Sequence, residues 1–355
     1  MERIIHHEPK RVLIVKLNRL GDTVAFLPTI KTLRENWPGA WLTLLTTTIG
    51  KELLEDSELV NEIWVSAIDE VKTLNGFFRL LKTIRKNGFD VAVASSDSSS
   101  FVALLFFLGS IPVRVGFTSP KLSILFNNRI RFSKKLTHTE LNLQIGKKLG
   151  LSVKWIDPPN DIPISENENL KLLQKLSQRG VGKTDRFIIL HIGAHRPSHR
   201  WPIGRFAEVV NFLIERYSVK VVCIGGKIEH QWVSSLQRLL DNEYVFDMTS
   251  ETNIRQLIYL ISLASLYIGH SSGPLHIAYT VGTPTISLWG ASALAVWGPA
   301  RQKDKHICIK SDLDCLGCEQ FTCPKETLEC MELISANMVI SEISKLIKNN
   351  ANEKS

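Results

Sequence analysis

The chain has 355 residues, 44% hydrophobic and 22% charged, an ordinary globular balance at a length that suits two domains better than one. No apolar run approaches the ~20 residues of a membrane-crossing helix, and the opening "MERIIHHEPKR" lacks the apolar core of a signal peptide, so a cytoplasmic protein is expected. The net charge of +8 is confined to one half: residues 1–155 hold 22 Lys+Arg against 14 Asp+Glu, and residues 156–355 hold 21 of each.

In chain order, "RVLIVKL" (11–17) is a buried strand and "DTVAFLPTIKTLREN" (22–36) has apolar residues at helical spacing. "WLTLLTT" (41–47) and "DVAVASS" (90–96) are further strands, and "FVALLFFLGSIPV" (101–113) is a buried helix turning into a strand. The pattern lapses at "WIDPPNDIPISENEN" (155–169), a linker by composition. It restarts with strand "RFIILHIGA" (186–194), helix "FAEVVNFLIERY" (206–217) and strand "KVVCIGG" (220–226). Helix "NIRQLIYLISLAS" (253–265) leads to strands "LYIG" and "TISLWG" (285–290), and the chain closes on the amphipathic helix "ISANMVISEISKLIKNN". This alternation predicts an α/β protein of two Rossmann-like domains with parallel sheets facing a central cleft. The expected boundaries are 1–160, 161–335 and a C-terminal helix and tail at 336–355. No internal repeat is visible.

Ligands of open parallel sheets sit at the carboxyl ends of strands, and four such ends carry suggestive residues. After the first strand, in "VKLNRLGDTVAFLP", Asp22 reads by spacing as a helix N-cap; the functional alternative is a general base, with Arg19 placed to meet an anionic acceptor. The second end, "HIGAHRPSHRWP" (191–202), offers Ala194, His195, Arg196, His199 and Arg200 to a diphosphate. The third, "CIGGKIEHQW", has Gly225 and Gly226 for close backbone approach and Glu229 to accept from ribose hydroxyls. In the fourth, "GHSSGPLHIAYTVGTP" (269–284), Ser271, Ser272, Gly273 and His276 begin a helix whose first turn suits a phosphate.

Six cysteines remain. Cys223 and Cys308 lie in apolar runs and read as core. Cys315, Cys318, Cys323 and Cys330, spaced C-x2-C-x4-C-x6-C, are candidate zinc ligands and unlike stable disulfides in a reducing compartment. "DLD" (312–314) beside them reads as incidental. The basic first half fits a solvated face or an anionic partner. No basic motif interleaved with aromatics marks a nucleic-acid module, so nucleic acid is not the expected partner.

Taken in order, "RLGDTVAFLP", "GAHRPSHRWP", "GHSSGPLHIAYTVGTPTISLWG", "VWGP" and "CLGCEQFTCP" resemble glycosyltransferase family 9, the lipopolysaccharide heptosyltransferases, over nearly the whole chain. The resemblance implies a GT-B fold and inverting transfer without a bound metal or cofactor. It implies a nucleotide-sugar donor, ADP-heptose, on the C-terminal domain. On the N-terminal domain it implies an anionic lipid-linked acceptor, the lipid A–Kdo core, with peripheral contact at the inner membrane. The family's base falls on Asp22, its small residues on Ser272 and Gly273, its histidine on His276, and cysteines like these recur in its members. Two positions depart: His199 stands where the family usually has Lys, and His270-Ser271 where it has Asn-Asp. The missing Lys leaves Arg196 or Arg200 to meet the diphosphate. It also leaves two alternatives open, another nucleotide sugar or a nucleotide-sugar-binding homologue impaired in catalysis.

Overall fold

The computed structural model describes residues 7–66, 73–119, 121–156, 161–162, 164–240 and 243–352. The chain divides into two units, Met1–Pro163 and Ile164–Ser355. The linker read at 155–169 lies partly outside the described residues.

In the first unit the apolar run after Lys10 becomes strand β1 (Arg11–Lys16), buried from Val12 on. A strand covered on both faces needs no polar alternation, and so its sequence is continuously hydrophobic. Strands β2 (Trp41–Thr46), β3 (Glu62–Val65), β4 (Val91–Ala94), β5 (Val113–Phe117) and β6 (Asn128–Ile130) join it in one sheet of order β3-β2-β1-β4-β5-β6. Every pairing in it is parallel. The helical run expected at 22–36 is two helices, Leu20–Val24 and Leu27–Asn36. Pro28, in the first turn of the second, donates no N–H and is tolerated only where a helix begins.

The second unit repeats the plan. Strands β7 (Phe187–His191), β8 (Lys220–Cys223), β9 (Val245–Asp247), β10 (Tyr267–His270), β11 (Thr285–Trp289) and β12 (His306–Lys310) form a parallel sheet of order β12-β11-β10-β7-β8-β9. Counted within its own unit, this is again the strand order 3-2-1-4-5-6 of the doubly wound dinucleotide fold. The core joins both central strands to the helix Ile203–Tyr217 and to Val339 and Ile343 of the final helix.

In each sheet the order reverses between the first and fourth strands, β1 and β4 in one unit, β7 and β10 in the other. The crevice outside the carboxyl ends of that pair is where such sheets bind ligands.

Candidate functional site

At the β1/β4 switch point, the last residue of β1 is Lys16, fully buried. A lone ammonium in that position would be costly. It is matched by Asp97, in the loop after β4, whose Oδ2 lies 2.5 Å from Lys16 Nζ. The Phe26 ring lies 5.9 Å away on another side. Ser95 donates its hydroxyl to Asp97 Oδ1, and His138 Nε2 lies 3.8 Å from Asp97 Oδ2. His138 opens the helix His138–Lys148, which starts on a capping box between Thr137 and Glu140. That helix is pinned to the end of β4 by Asn142, which accepts the Ser96 N–H.

Asp22 faces this cluster. Its carboxylate, that of Asp97 and the His138 ring all have a ligand atom within 4.8 Å of one another. The N-cap reading of Asp22 is corrected here: the cap position is Arg19, and Asp22 is the third residue of the helix Leu20–Val24. Its side chain is half-buried. Burial pushes its carboxyl above the usual range and Asp97 adds to that, while Lys16 and Arg19 pull it back. Burial also works against the charged form of Asp97, but Lys16 and His138 outweigh it and hold that carboxyl low. A carboxylate lifted toward neutrality and kept half-open suits proton abstraction. Arg19 is exposed at the end of β1.

At the β7/β10 switch point, the chain after β7 runs through Gly193 and Ala194 to the loop His195–Arg200. Gly193 is required: a Cβ there would stand 2.3 Å from Glu229 Cγ. Gly225, at φ +155°, would meet the same side chain at 2.6 Å. Glu229 therefore lies over both glycines, and its Oε2 accepts the Gly226 N–H at 2.9 Å.

The loop cations are held differently. Arg196 Nη1 pairs with Glu319 Oε2 at 2.7 Å and also donates to the Glu319 carbonyl. Arg200 stacks on the Trp232 ring at 4.3 Å, and its Nε donates to the Ala194 carbonyl. The Nη groups of Arg200 have no partner among the described residues. His195 is exposed, edge-on to Phe321 at 5.7 Å. His199 is buried; burial and then Arg196 push it down to about 4, so it is neutral at pH 7.

His270 ends β10 and is fully buried. Its Nε2 accepts the Trp201 N–H at 2.8 Å, which leaves the proton on Nδ1 to be donated to the Gly193 carbonyl at 3.2 Å. Burial pushes it down to about 3. The departure at 270 thus staples β10 to the loop after β7. Against burial, the Ser271 carbonyl favours the protonated form of the His199 ring. Ser272 is the N-cap of the helix Gly273–Val281, but its hydroxyl does not cap it; that group turns back to His191 Nδ1 and the His270 carbonyl. In the first turn of this helix Pro274 has no N–H and the Leu275 N–H bonds the Ser272 carbonyl at 3.2 Å, so Gly273 supplies the first backbone donor of the helix start. His276 packs edge-on against Trp297 and Tyr279, and burial pushes it down to about 4.

Ala194, Arg196, His199, Arg200 and Glu229, from the ends of β7 and β8, share this switch point with the residues that follow β10. Cys315, Cys318, Cys323 and Cys330 are free thiols in the segment that carries Glu319. Burial, then the other three cysteines, push the Cys330 thiol up. Among the described residues, Asp22, Asp97 and His138 are the one group of such side chains gathered closely enough to share an ion; the four thiols are not. The Lys16–Asp97–His138 cluster and Glu319 escaped the sequence reading. Lys16 ending an apolar strand was the available signal.

The model of glycosyltransferase family 9 (heptosyltransferase) matches residues 77–328. Lipopolysaccharide heptosyltransferase 3 of Escherichia coli K12 is 27% identical over 79% of this chain and 82% of its own. Among solved structures, a family 9 glycosyltransferase from Veillonella parvula aligns with TM-score 0.83 at 20% identity, covering 98% of this chain and all of its own. The E. coli heptosyltransferase WaaC with ADP-2-deoxy-2-fluoro heptose aligns with TM-score 0.66 at 16% identity, over 94% of this chain and 99% of its own.

Proposed function

Because the chain belongs to glycosyltransferase family 9 and has the GT-B fold of two Rossmann-like units, we propose that it transfers a heptose, with inversion, from ADP-heptose to the lipid A–Kdo inner core of lipopolysaccharide. A relative of the same fold was solved with an ADP-heptose analogue. The observation that carries the catalytic part of this reading is Asp22, half-buried at the β1/β4 switch point with its carboxyl raised by burial.

In the proposed reaction Asp22 takes the proton of the acceptor hydroxyl. The freed oxygen bonds to the anomeric carbon on the face opposite the diphosphate. The anomeric C–O bond to the diphosphate breaks, and its electron pair leaves with ADP. The β7/β10 switch point receives the donor. There the Nη groups of Arg200 and the Gly273 N–H meet the diphosphate, and Glu229 meets the ribose. His199 is neutral and supplies no charge. The reaction is proposed to need no metal. The cation against the carboxylates of the first unit is the Lys16 ammonium.

Asp22 and Asp97 are as close as the two carboxyls of a retaining glycosidase, about 5 Å. Asp97 is spent on Lys16, so one carboxylate is left for chemistry, as an inverting transferase requires. The basic first half favours an anionic acceptor, presented at the cytoplasmic face of the inner membrane. No helix among the described residues is long and apolar enough to cross a membrane.

The test is turnover with ADP-heptose and lipid A–Kdo acceptor. ADP release that requires acceptor, with a product heavier by one heptose of inverted configuration, is the expected result. Equal ADP release with and without acceptor would make the protein a hydrolase; binding without release would make it a nucleotide-sugar-binding homologue. A thermal-shift series across ADP-, UDP- and GDP-sugars decides the donor. Asp22→Asn should keep donor affinity and lose roughly two to four decades of turnover. Near-normal turnover in that variant would remove Asp22 from the chemistry.

A further inference from the structure

Burying an ion pair is a poor way to gain stability, since well-packed apolar side chains in its place are often as good. The Lys16–Asp97 pair closes the carboxyl end of β1, where Lys16 reaches no solvent and cannot touch a substrate. What it does touch is the environment of Asp22. We propose that Lys16 and Asp97 are positioning residues for Asp22: a fixed cation and a fixed anion, held by Ser95, Phe26 and His138, that together set the charge and place of the Asp22 carboxylate.

This rests on the reading of Asp22 as the base. The charged and titratable groups around Asp22 are Lys16 on β1, Arg19 before the short helix, Asp97 after β4 and His138 at its helix start. Lys16 and Asp97 act on it with opposite signs. The ammonium favours the charged carboxylate, and the neighbouring carboxylate opposes it. Between the two, Lys16 has the larger effect on Asp22. Ser95 and Lys16 in turn fix Asp97 from two sides, so neither charge can drift as the acceptor arrives.

Opposite signs give a test that ordinary structural damage cannot imitate. The acid limb of the kcat/KM profile is measured on the full chain with saturating donor. In Asp97→Asn the opposing anion is gone, and the limb should move about one pH unit lower. In Lys16→Met it should move higher by a similar amount. Lys16→Met strands a half-buried carboxylate and can fail to fold. The double variant Lys16→Met/Asp97→Asn carries no buried charge, and there the limb should move higher by less than in the single change. Damage to packing would lower kcat at every pH and leave the limb in place. Unmoved limbs in Asp97→Asn and the double variant, or limbs displaced in the same direction, overturn the proposal. Failure of the base reading shows up separately, as wild-type turnover in Asp22→Asn.

Discussion

Lowering the pH from 7.5 to 5 should unfold the second unit before it unfolds the first. Five histidines of the second unit are withdrawn from solvent: His191, His199, His270 and His306 are buried, and His276 is half-buried. Burial comes first among the causes that push His270 down to about 3 and the other four down to about 4. In the unfolded chain each titrates near ~6.5. The unfolded state therefore binds more protons at any pH between the two values, and stability falls as pH drops through 6.5 and goes on falling toward 4. At pH 5 one such histidine has lost about 2 kcal/mol, 1.5 units at 1.36 kcal/mol each. This figure is insensitive to the folded value so long as that lies below 5. Five together reach about 10 kcal/mol as an upper bound, comparable with the whole stability of a typical domain at ~5–15 kcal/mol. Hydrogen exchange read by mass spectrometry, corrected for intrinsic rate, reports the two units separately within the intact chain. Peptides of β7 and β10 should lose protection between pH 6.5 and 5 while β1 and β4 keep theirs. His270→Asn, which removes one titration, should flatten the dependence by about a fifth. Protection at β7 and β10 that is unchanged down to pH 5 would refute the assignment of neutral buried imidazoles.

Arg200→Ala should weaken donor affinity by about ten- to a hundredfold, the value of one charged hydrogen bond at ~1.5–3 kcal/mol, and His199→Ala should cost little affinity; calorimetry with ADP separates them. Gly193→Ala places a methyl where Glu229 already lies and should cost about 1–3 kcal/mol as overpacking; urea unfolding should show most of that recovered in Gly193→Ala/Glu229→Ala. Acceptor KM should rise with salt more steeply than donor KM, because exposed charges are screened beyond about 8 Å at physiological ionic strength. Equal salt responses would reduce the basic half to a matter of solubility.

Strands buried on both faces were legible because burial on both faces leaves an uninterrupted apolar run; β1, β4, β7 and β10, which build the two switch points, are all of this kind. The half-covered β3 and the three-residue β6 and β9 carry no such signal. Two Rossmann-like units were legible from the β-α alternation, but the strand order inside each sheet was not, because strand order is a property of pairing, not of sequence likeness. Asp22 stood out by its motif, but its surroundings did not. Lys16 looks like a strand end, Asp97 like one polar residue among serines, and His138 like the residue after a helix cap. Only the parallel pairing of β1 with β4 and the Ser96–Asn142 bond bring them together. The histidine at 270 was read as a missing donor-site Asn-Asp; it is a two-ended staple that a sequence cannot reveal.

Lys16 and Asp97 lie 81 positions apart in the chain, and this spacing governs how the protein is born. As the nascent chain emerges, β1 finds β2 early, for that pairing is local. Lys16 has no counter-charge until β4 and its loop have followed. Until then its ammonium resists desolvation, and the centre of the first sheet stays open to water and to chaperones. The second sheet has the same delay, since Tyr267 pairs with Ile189. Non-local parallel pairing of this kind closes slowly. In both units the pairing at the switch point thus waits for the fourth strand, and a chain cut short before Asp97 never acquires the partner that its first strand needs.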